Sequence, residues 1–246
     1  MRHSTRYRLN AIFSSGNFPN GVKWLLISNT AVFVLGYLAQ QAGFGDIFSP
    51  FALVPRAVVY HFAIWELATY LFLHGSILHL LFNMLTLWMF GATLERDWGT
   101  RKFLKYYFLC GIGAGVCDVT AKMLLGDPRG TIGASGAIFG VLLAFGVLYP
   151  ETIILFFFVF PIQAKYFVMI YGAMALLGSL NVNGAVSEVA HLGGMIFGLL
   201  YLKVRFPKVD TYEVRRWYRN YKMQRAKKKF QVYMRKHPSD RGPWVN

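Results

Sequence analysis

A serine surrounded by glycines is the first residue in this chain whose setting suits chemistry. It lies in the apolar segment Thr131-Ile-Gly-Ala-Ser-Gly-Ala-Ile-Phe-Gly140. The pattern predicts a helix that starts near Ser135, where free backbone N–H groups and the positive end of the helix dipole favour a nucleophile that generates negative charge. Small residues at this spacing are also typical of helix packing, so Ser135 alone is weak support for catalysis.

A histidine opens a second cluster, Ala190-His-Leu-Gly-Gly-Met-Ile-Phe-Gly198. Gly194 and Gly198 share one helical face with His191. They would let this helix approach a glycine-rich neighbour closely, and the helix of Ser135 is the obvious partner. A hydroxyl next to an imidazole base is the minimal unit for acyl transfer. We therefore expect Ser135 to act as nucleophile and His191 as general base.

A third cluster of polar residues lies in the segment Phe72-Leu-His-Gly-Ser-Ile-Leu-His-Leu-Leu-Phe-Asn83. His79 and Asn83 are four residues apart, so they face the same side of a helix. Two donors aimed at one point could stabilise a developing oxyanion. A lone histidine in a membrane is also often a packing or interfacial residue, and the shared face is what favours a functional interpretation.

Other catalytic arrangements are less well supported. No Asp or Glu within the predicted spans is placed to orient His191, which predicts a dyad and not a triad. Asp118 lies in an apolar stretch without a clear partner. No His-Glu-x-x-His or similar spacing indicates a metal, so we expect neither a metal nor a cofactor.

The elements that must position these residues are predicted to be membrane helices. Hydrophobic residues make up 55% of the 246 residues and charged residues only 15%. The sequence predicts an all-α membrane protein with six spans. They cover about residues 22–39, 73–94, 103–125, 134–150, 166–180 and 189–204, with residues 152–165 as a cytoplasmic connection.

The distribution of Lys and Arg predicts that both termini are cytoplasmic. The external side would hold only Arg56, Lys122 and Arg129. The second, fourth and sixth helices would then begin outside, so His79, Ser135 and His191 would all lie in the external half. We expect a multi-pass protein of a bacterial inner membrane.

The chain divides into a cytoplasmic segment 1–21, a membrane domain 22–204 and a basic cytoplasmic tail 205–246. The first external connection, about Gln40–Tyr70, is apolar enough to lie in the membrane interface. The formal net charge of +15 is concentrated in the tail. Anionic lipid is favoured over nucleic acid as its partner, and a solvated tail is an equal alternative to a membrane-surface segment.

The three clusters, in this order on alternate helices, resemble the rhomboid family of intramembrane serine proteases over about Trp65–Leu200. The resemblance implies a six-helix rhomboid bundle that cleaves transmembrane protein substrates, without a cofactor, through an acyl-enzyme. It implies Ser135 as nucleophile and His191 as base. It also implies that His79, Asn83 and the backbone N–H of Ser135 stabilise the oxyanion.

The resemblance extends to supporting positions. It implies that His74 supports the external loop, that Phe139 lies against the catalytic histidine, and that Gly194 and Gly198 pack the sixth helix on the fourth. Gly133 belongs to the serine motif, and Glu95 matches an acidic residue at the inner end of the second span. The family's loop commonly reads Trp-Arg where this chain has Trp65-Glu66, which reverses the charge there.

Two alternatives to a protease remain. One is a non-catalytic relative that binds transmembrane helices, and the other is a small transporter or channel.

Overall fold

The computed structural model describes residues 18–156, 159–179 and 187–205, together with residue 223. Contacts between residues divide the chain into two compact units, Met1–Leu202 and Lys203–Asn246. Most of the predicted N-terminal segment 1–21 and of the basic tail lies outside the described residues, as does position 180 at the end of the predicted fifth span.

The described part of the first unit is mostly helical. Three helices are long and apolar enough to cross a membrane, Asn20–Gln41, Ile77–Trp98 and Thr100–Leu125. The second of them contains a π-helical turn at Leu87–Gly91. The helices are α1 Asn20–Gln41, α2 Pro55–Tyr60, α3 Glu66–Thr69, α4 Ile77–Thr86, α5 Ala92–Trp98, α6 Thr100–Leu125, α7 Ser135–Leu148, α8 Ala164–Ser179 and α9 Ser187–Arg205.

Each predicted span overlaps one of these helices, counting α4 and α5 as one. The apolar runs locate the helices well because a continuous apolar stretch in lipid can satisfy its backbone polar groups only within a helix. The helices α7 and α8 have 14 and 16 residues. At 1.5 Å per residue they are about 21 and 24 Å long, which is shorter than a hydrocarbon core of about 30 Å.

The all-α prediction is wrong in one element. Strand β1, Ile153–Phe156, pairs antiparallel with strand β2, Phe160–Gln163, so that Ile153 lies opposite Gln163. This hairpin occupies the segment predicted as a cytoplasmic connection between the fourth and fifth spans. Its β-branched and aromatic residues favour strand, and a two-stranded ribbon tolerates Pro161 because both strands are edges.

Glu95 fixes the start of α1 against the end of α5. Its carboxylate is buried and accepts hydrogen bonds from the backbone N–H groups of Gly21 and Val22, each at 2.7 Å. The hydroxyl of Thr100 donates a third bond at 2.6 Å. A carboxylate satisfies the unpaired N–H groups of a helix start and interacts favourably with its dipole. Glu95 therefore has a structural role at this end of the bundle.

The connection that is predicted to be external, about residues 40–70, is anchored through Glu66, where the charge is reversed. The Glu66 side chain is buried, and its Oε2 accepts a hydrogen bond from the backbone N–H of Val54 at 2.8 Å. Trp65 donates from Nε1 to the carbonyl of Pro50 at 3.2 Å. An arginine has no acceptor for the Val54 N–H. This chain therefore holds the loop with a carboxylate where the family commonly has a guanidinium.

Candidate active site

Ser135 and His191 come from different helices and meet side chain to side chain. Ser135 is the first residue of α7, and His191 lies near the start of α9. The Oγ of Ser135 is 2.8 Å from Nε2 of His191, which is a hydrogen-bond distance. Separated by 56 residues in the chain, the two side chains have the geometry of a nucleophile and its base.

Glycines allow this approach because α7 and α9 nearly touch through their backbones. A Cβ built on Gly194 would overlap the carbonyl group of Gly136. A Cβ on Gly140 would lie 3.1 Å from the carbonyl oxygen of Gly194 and 2.5 Å from Sγ of Cys110. Gly194 thus packs α9 on α7, in the way that the sequence predicts.

Gly198 has different neighbours from those predicted. The atoms nearest to a Cβ at Gly198 belong to Tyr106 and Cys110 of α6, not to α7. The hydroxyl of Tyr106 donates to the carbonyl of Gly140 at 2.7 Å, so this tyrosine fills the space between the helices. A side chain of the third predicted span therefore lies between the fourth and sixth spans at Gly140 and Gly198.

Phe139 lies against His191, as the family resemblance implies. Phe139 is one helical turn after Ser135, and its ring stacks on the imidazole with centroids 4.1 Å apart and planes 2° from parallel. The phenyl ring restricts rotation of the imidazole out of the plane that faces Ser135. The same helix thus carries both the hydroxyl and the surface that orients its partner.

Gly133 and His79 lie beside Ser135, and Asn83 follows His79 by one turn on α4. Gly133 has a φ of +124°, which favours glycine. A Cβ there would lie 2.8 Å from Nε2 of His79 and 3.9 Å from Oγ of Ser135, so the imidazole occupies the space beside the serine motif. Asn83 is buried, and its Nδ2 has no hydrogen-bond partner among the described residues. An unpaired buried amide is a free donor.

His74 contacts His79 directly. The two imidazole rings meet edge to face with centroids 4.9 Å apart. His74 lies in the turn between Tyr70–Phe72 and α4, where the Ser76 hydroxyl accepts a hydrogen bond from the backbone N–H of His79 at 3.1 Å. His74 therefore packs against the side chain that lines the serine motif. Across the described residues, no group of three or more His, Cys, Asp or Glu side chains could hold a metal ion.

The expectation that no acidic residue would reach His191 is wrong. Oε2 of Glu188 is 3.1 Å from Nδ1 of His191. Glu188 lies three residues before His191 on the same helix, in the first turn of α9. The i, i+3 spacing was a signal in the sequence, because such pairs are neighbours on a helix surface. It was missed because Glu188 precedes the predicted start of the sixth span.

A buried ion pair, which was not predicted from the sequence, holds the segment that leads to Ser135. Lys122 and Asp118, one turn apart on α6, are 3.1 Å apart and both buried. The Thr131 hydroxyl donates to Asp118 at 2.6 Å, and Lys122 bonds to both Thr131 and the carbonyl of Arg129. Thr131 also exchanges two backbone hydrogen bonds with Leu53 of the external connection. Lys122 was predicted as an external charge, but its side chain is buried and binds groups within the protein.

Comparison with known proteins identifies the group to which this arrangement belongs. The sequence profile of the rhomboid domain family matches residues 61–208, more than half of the chain. The chain belongs to the rhomboid family. The rhomboid domain contains Ser135, His191, His79 and Asn83, and the prediction of family membership is confirmed.

Individual rhomboid relatives match about half of the chain. Rhomboid protein 1, mitochondrial, of Saccharomyces cerevisiae is 35% identical over 136 residues, 53% of this chain and 38% of that protein. Rhomboid protease GluP of Bacillus subtilis is 35% identical over 137 residues, 54% and 24% of the two chains. The human presenilin-associated rhomboid-like protein, mitochondrial, is 31% identical over 133 residues, 53% and 35%. The match thus spans less than two fifths of each relative.

Proposed function

We propose that this rhomboid protein is a serine endopeptidase that hydrolyses peptide bonds of transmembrane protein substrates through an acyl-enzyme. The observation that carries the proposal is the 2.8 Å contact between Oγ of Ser135 and Nε2 of His191. The free donor on Asn83 supports it, because a buried and unpaired amide costs stability unless a ligand or reaction intermediate uses it. One relative carries the name rhomboid protease.

The chemistry follows from these groups. Oγ of Ser135 attacks the scissile carbonyl while Nε2 of His191 takes the hydroxyl proton. The carbonyl oxygen becomes an oxyanion that the Ser135 backbone N–H, the Asn83 amide and the His79 ring stabilise. The intermediate then expels the amine, which receives the proton from His191. Water attacks the resulting ester with His191 as base again, and the acid product leaves Ser135 free.

The membrane setting of this chemistry is part of the proposal. The six helices that overlap the predicted spans form the rhomboid bundle, and the apolar, exposed side chains of the first external connection lie in the interface. Among them are Phe44, Tyr60, Phe62 and Ile64. Because α7 is about 9 Å shorter than the hydrocarbon core, Ser135 at its start lies below the external surface. Hydrolysis then requires a water-filled space around Ser135 and His191.

Substrates enter laterally beside α8. This helix exposes a row of large apolar side chains, Met169, Ile170, Met174 and Leu177, which suits contact with lipid or with a substrate helix.

Both termini lie on the cytoplasmic side. The relatives do not support the predicted bacterial inner membrane, since several are named as mitochondrial. Membrane lipid and transmembrane substrates are the proposed partners.

Reconstitution in lipid with a single-pass transmembrane substrate tests the proposal. We expect the wild-type protein to cleave the substrate and to be labelled by a fluorophosphonate, and both to be lost in Ser135→Ala. Ser28→Ala is the matched control, because Ser28 lies on α1 and its hydroxyl donates to the carbonyl of Leu25 on the same helix. Cleavage that survives Ser135→Ala would overturn the proposal. Substrate binding without labelling would favour a non-catalytic relative, and solute flux in proteoliposomes would favour a transporter or channel.

A further inference from the structure

His191 is held from both of its ring nitrogens. Nε2 faces Oγ of Ser135 at 2.8 Å, and Nδ1 faces Oε2 of Glu188 at 3.1 Å. A carboxylate accepts hydrogen bonds and donates none, so the pairing requires a proton on Nδ1. A neutral imidazole with its proton on Nδ1 presents a lone pair on Nε2. The Glu188 contact therefore selects the tautomer in which His191 can take a proton from Ser135.

Glu188 is itself held in place by the neighbouring helix. A Cβ on Gly178 of α8 would lie 2.8 Å from Cγ of Glu188 and 3.1 Å from its carboxyl carbon. The glutamate stem therefore packs flat against α8, and this contact directs the carboxylate toward His191. The Glu188 side chain is one-third exposed while that of His191 is 13% exposed. A poorly solvated carboxylate needs a hydrogen-bonded partner, and Nδ1 of His191 supplies one.

We propose that Glu188 is a positioning residue that fixes the tautomer and orientation of His191, so that the catalytic unit is Ser135, His191 and Glu188. This inference rests on the proposed function. During proton transfer His191 becomes an imidazolium, which the carboxylate at 3.1 Å stabilises. Glu188 keeps its negative charge throughout. Phe139 restrains the plane of the ring, and Glu188 restrains its rotation within that plane.

A purely structural role makes a different prediction. An acidic residue in the first turn of a helix stabilises it through the helix dipole, wherever its side chain points. That role would affect the stability of α9 but not the tautomer of His191. A measurement that reports on the ring nitrogens therefore separates the two roles.

The experiment uses the full chain in lipid nanodiscs with ¹⁵N-labelled histidine, at about pH 8.5, where an ordinary imidazole is neutral. The His191 signals are those that disappear in His191→Ala. We expect them to show mainly the Nδ1-protonated tautomer in wild type and a mixture in Glu188→Ala. Glu188→Gln should retain most of the tautomer preference, since its amide oxygen can accept from Nδ1–H. It also serves as the second variant if Glu188→Ala unfolds.

Cleavage kinetics provide the second readout. We expect kcat to fall about tenfold in Glu188→Ala with KM unchanged, and less in Glu188→Gln, because a charge-assisted hydrogen bond to the transition state is lost. The matched control is Glu151→Gln, which removes an exposed glutamate that pairs with Lys165. An unchanged tautomer ratio and an unchanged kcat in Glu188→Ala would overturn the inference. If the wild-type protein showed no cleavage that depends on Ser135, this would instead overturn the proposed function. The tautomer measurement would still decide the role of Glu188.

Discussion

The ring of Phe139 lies flat on the imidazole of His191, with planes 2° from parallel and centroids 4.1 Å apart. Phe139 is one turn from Ser135 on α7, whereas His191 belongs to α9. The stack therefore joins the two helices at the point where the proposed nucleophile meets its base. It holds the imidazole in a plane in which Nε2 can point at the hydroxyl.

Replacing Phe139 by Leu should lower kcat about tenfold and leave KM unchanged, because the imidazole gains freedom to turn away from Ser135. Steady-state cleavage of a transmembrane substrate measures both constants. Phe160→Leu is the control, since Phe160 is an exposed aromatic residue on strand β2. A rise in KM at constant kcat would mean that Phe139 contacts substrate and does not orient His191.

Asn83→Ala should lower kcat roughly 100-fold, because one donor to the oxyanion is lost. The free energy of unfolding should change by less than about 1 kcal/mol, since the cavity left behind is offset by removal of an unpaired buried donor. Unfolding in mixed detergent and the kinetic assay together give both quantities.

The matched control for Asn83 is Asn29→Ala. Asn29 is also buried, but its Nδ2 donates to the carbonyl of Leu25 on α1 at 2.7 Å. This variant should lose stability and keep its kcat. The same pattern in Asn83→Ala, lower stability with normal kcat, would exclude Asn83 from the oxyanion site.

Gly194→Ala should destabilise the protein by about 3 kcal/mol, because the added methyl group overlaps the Gly136 carbonyl and neither backbone can move freely. Activity should fall as well, since α9 carries His191. Gly130→Ala is the control: its Cβ would be 3.5 Å from Val54, an ordinary contact, and stability should stay within about 1 kcal/mol. Equal stability of the two variants would argue against close packing of α9 on α7.

Lys122→Ala should lower the free energy of unfolding by about 3–5 kcal/mol, because it leaves Asp118 buried without its ion partner. The double variant Asp118→Asn with Lys122→Met should be less destabilised than Lys122→Ala, since neither charge remains. Lys105→Ala on the exposed face of α6 is the control. Chemical unfolding of the four proteins compares their stabilities, and a double variant as unstable as Lys122→Ala would contradict the ion-pair explanation.

The sequence by itself located the membrane helices and the candidate residues of the site. Apolar runs mark helices because lipid leaves a backbone no other way to satisfy its polar groups, and each predicted span overlaps a described helix. Ser135, His191, His79 and Asn83 were visible because polar side chains are rare in such runs. The rhomboid family followed from their order along the chain, and the family profile confirms it.

Only the tertiary structure decided what surrounds these residues. Glu188 precedes the predicted span, and its contact with His191 depends on where α8 directs the side chain. Thr131 donates to Asp118 from beyond the end of α6, which only the fold brings about, whereas Lys122 lies four residues from Asp118 on the same helix. Gly198 packs on Tyr106 because this side chain of α6 reaches between α7 and α9 to the carbonyl of Gly140. Hydropathy is a property of each segment taken alone, whereas these contacts depend on the distances between helices, which are set when glycines let backbones touch.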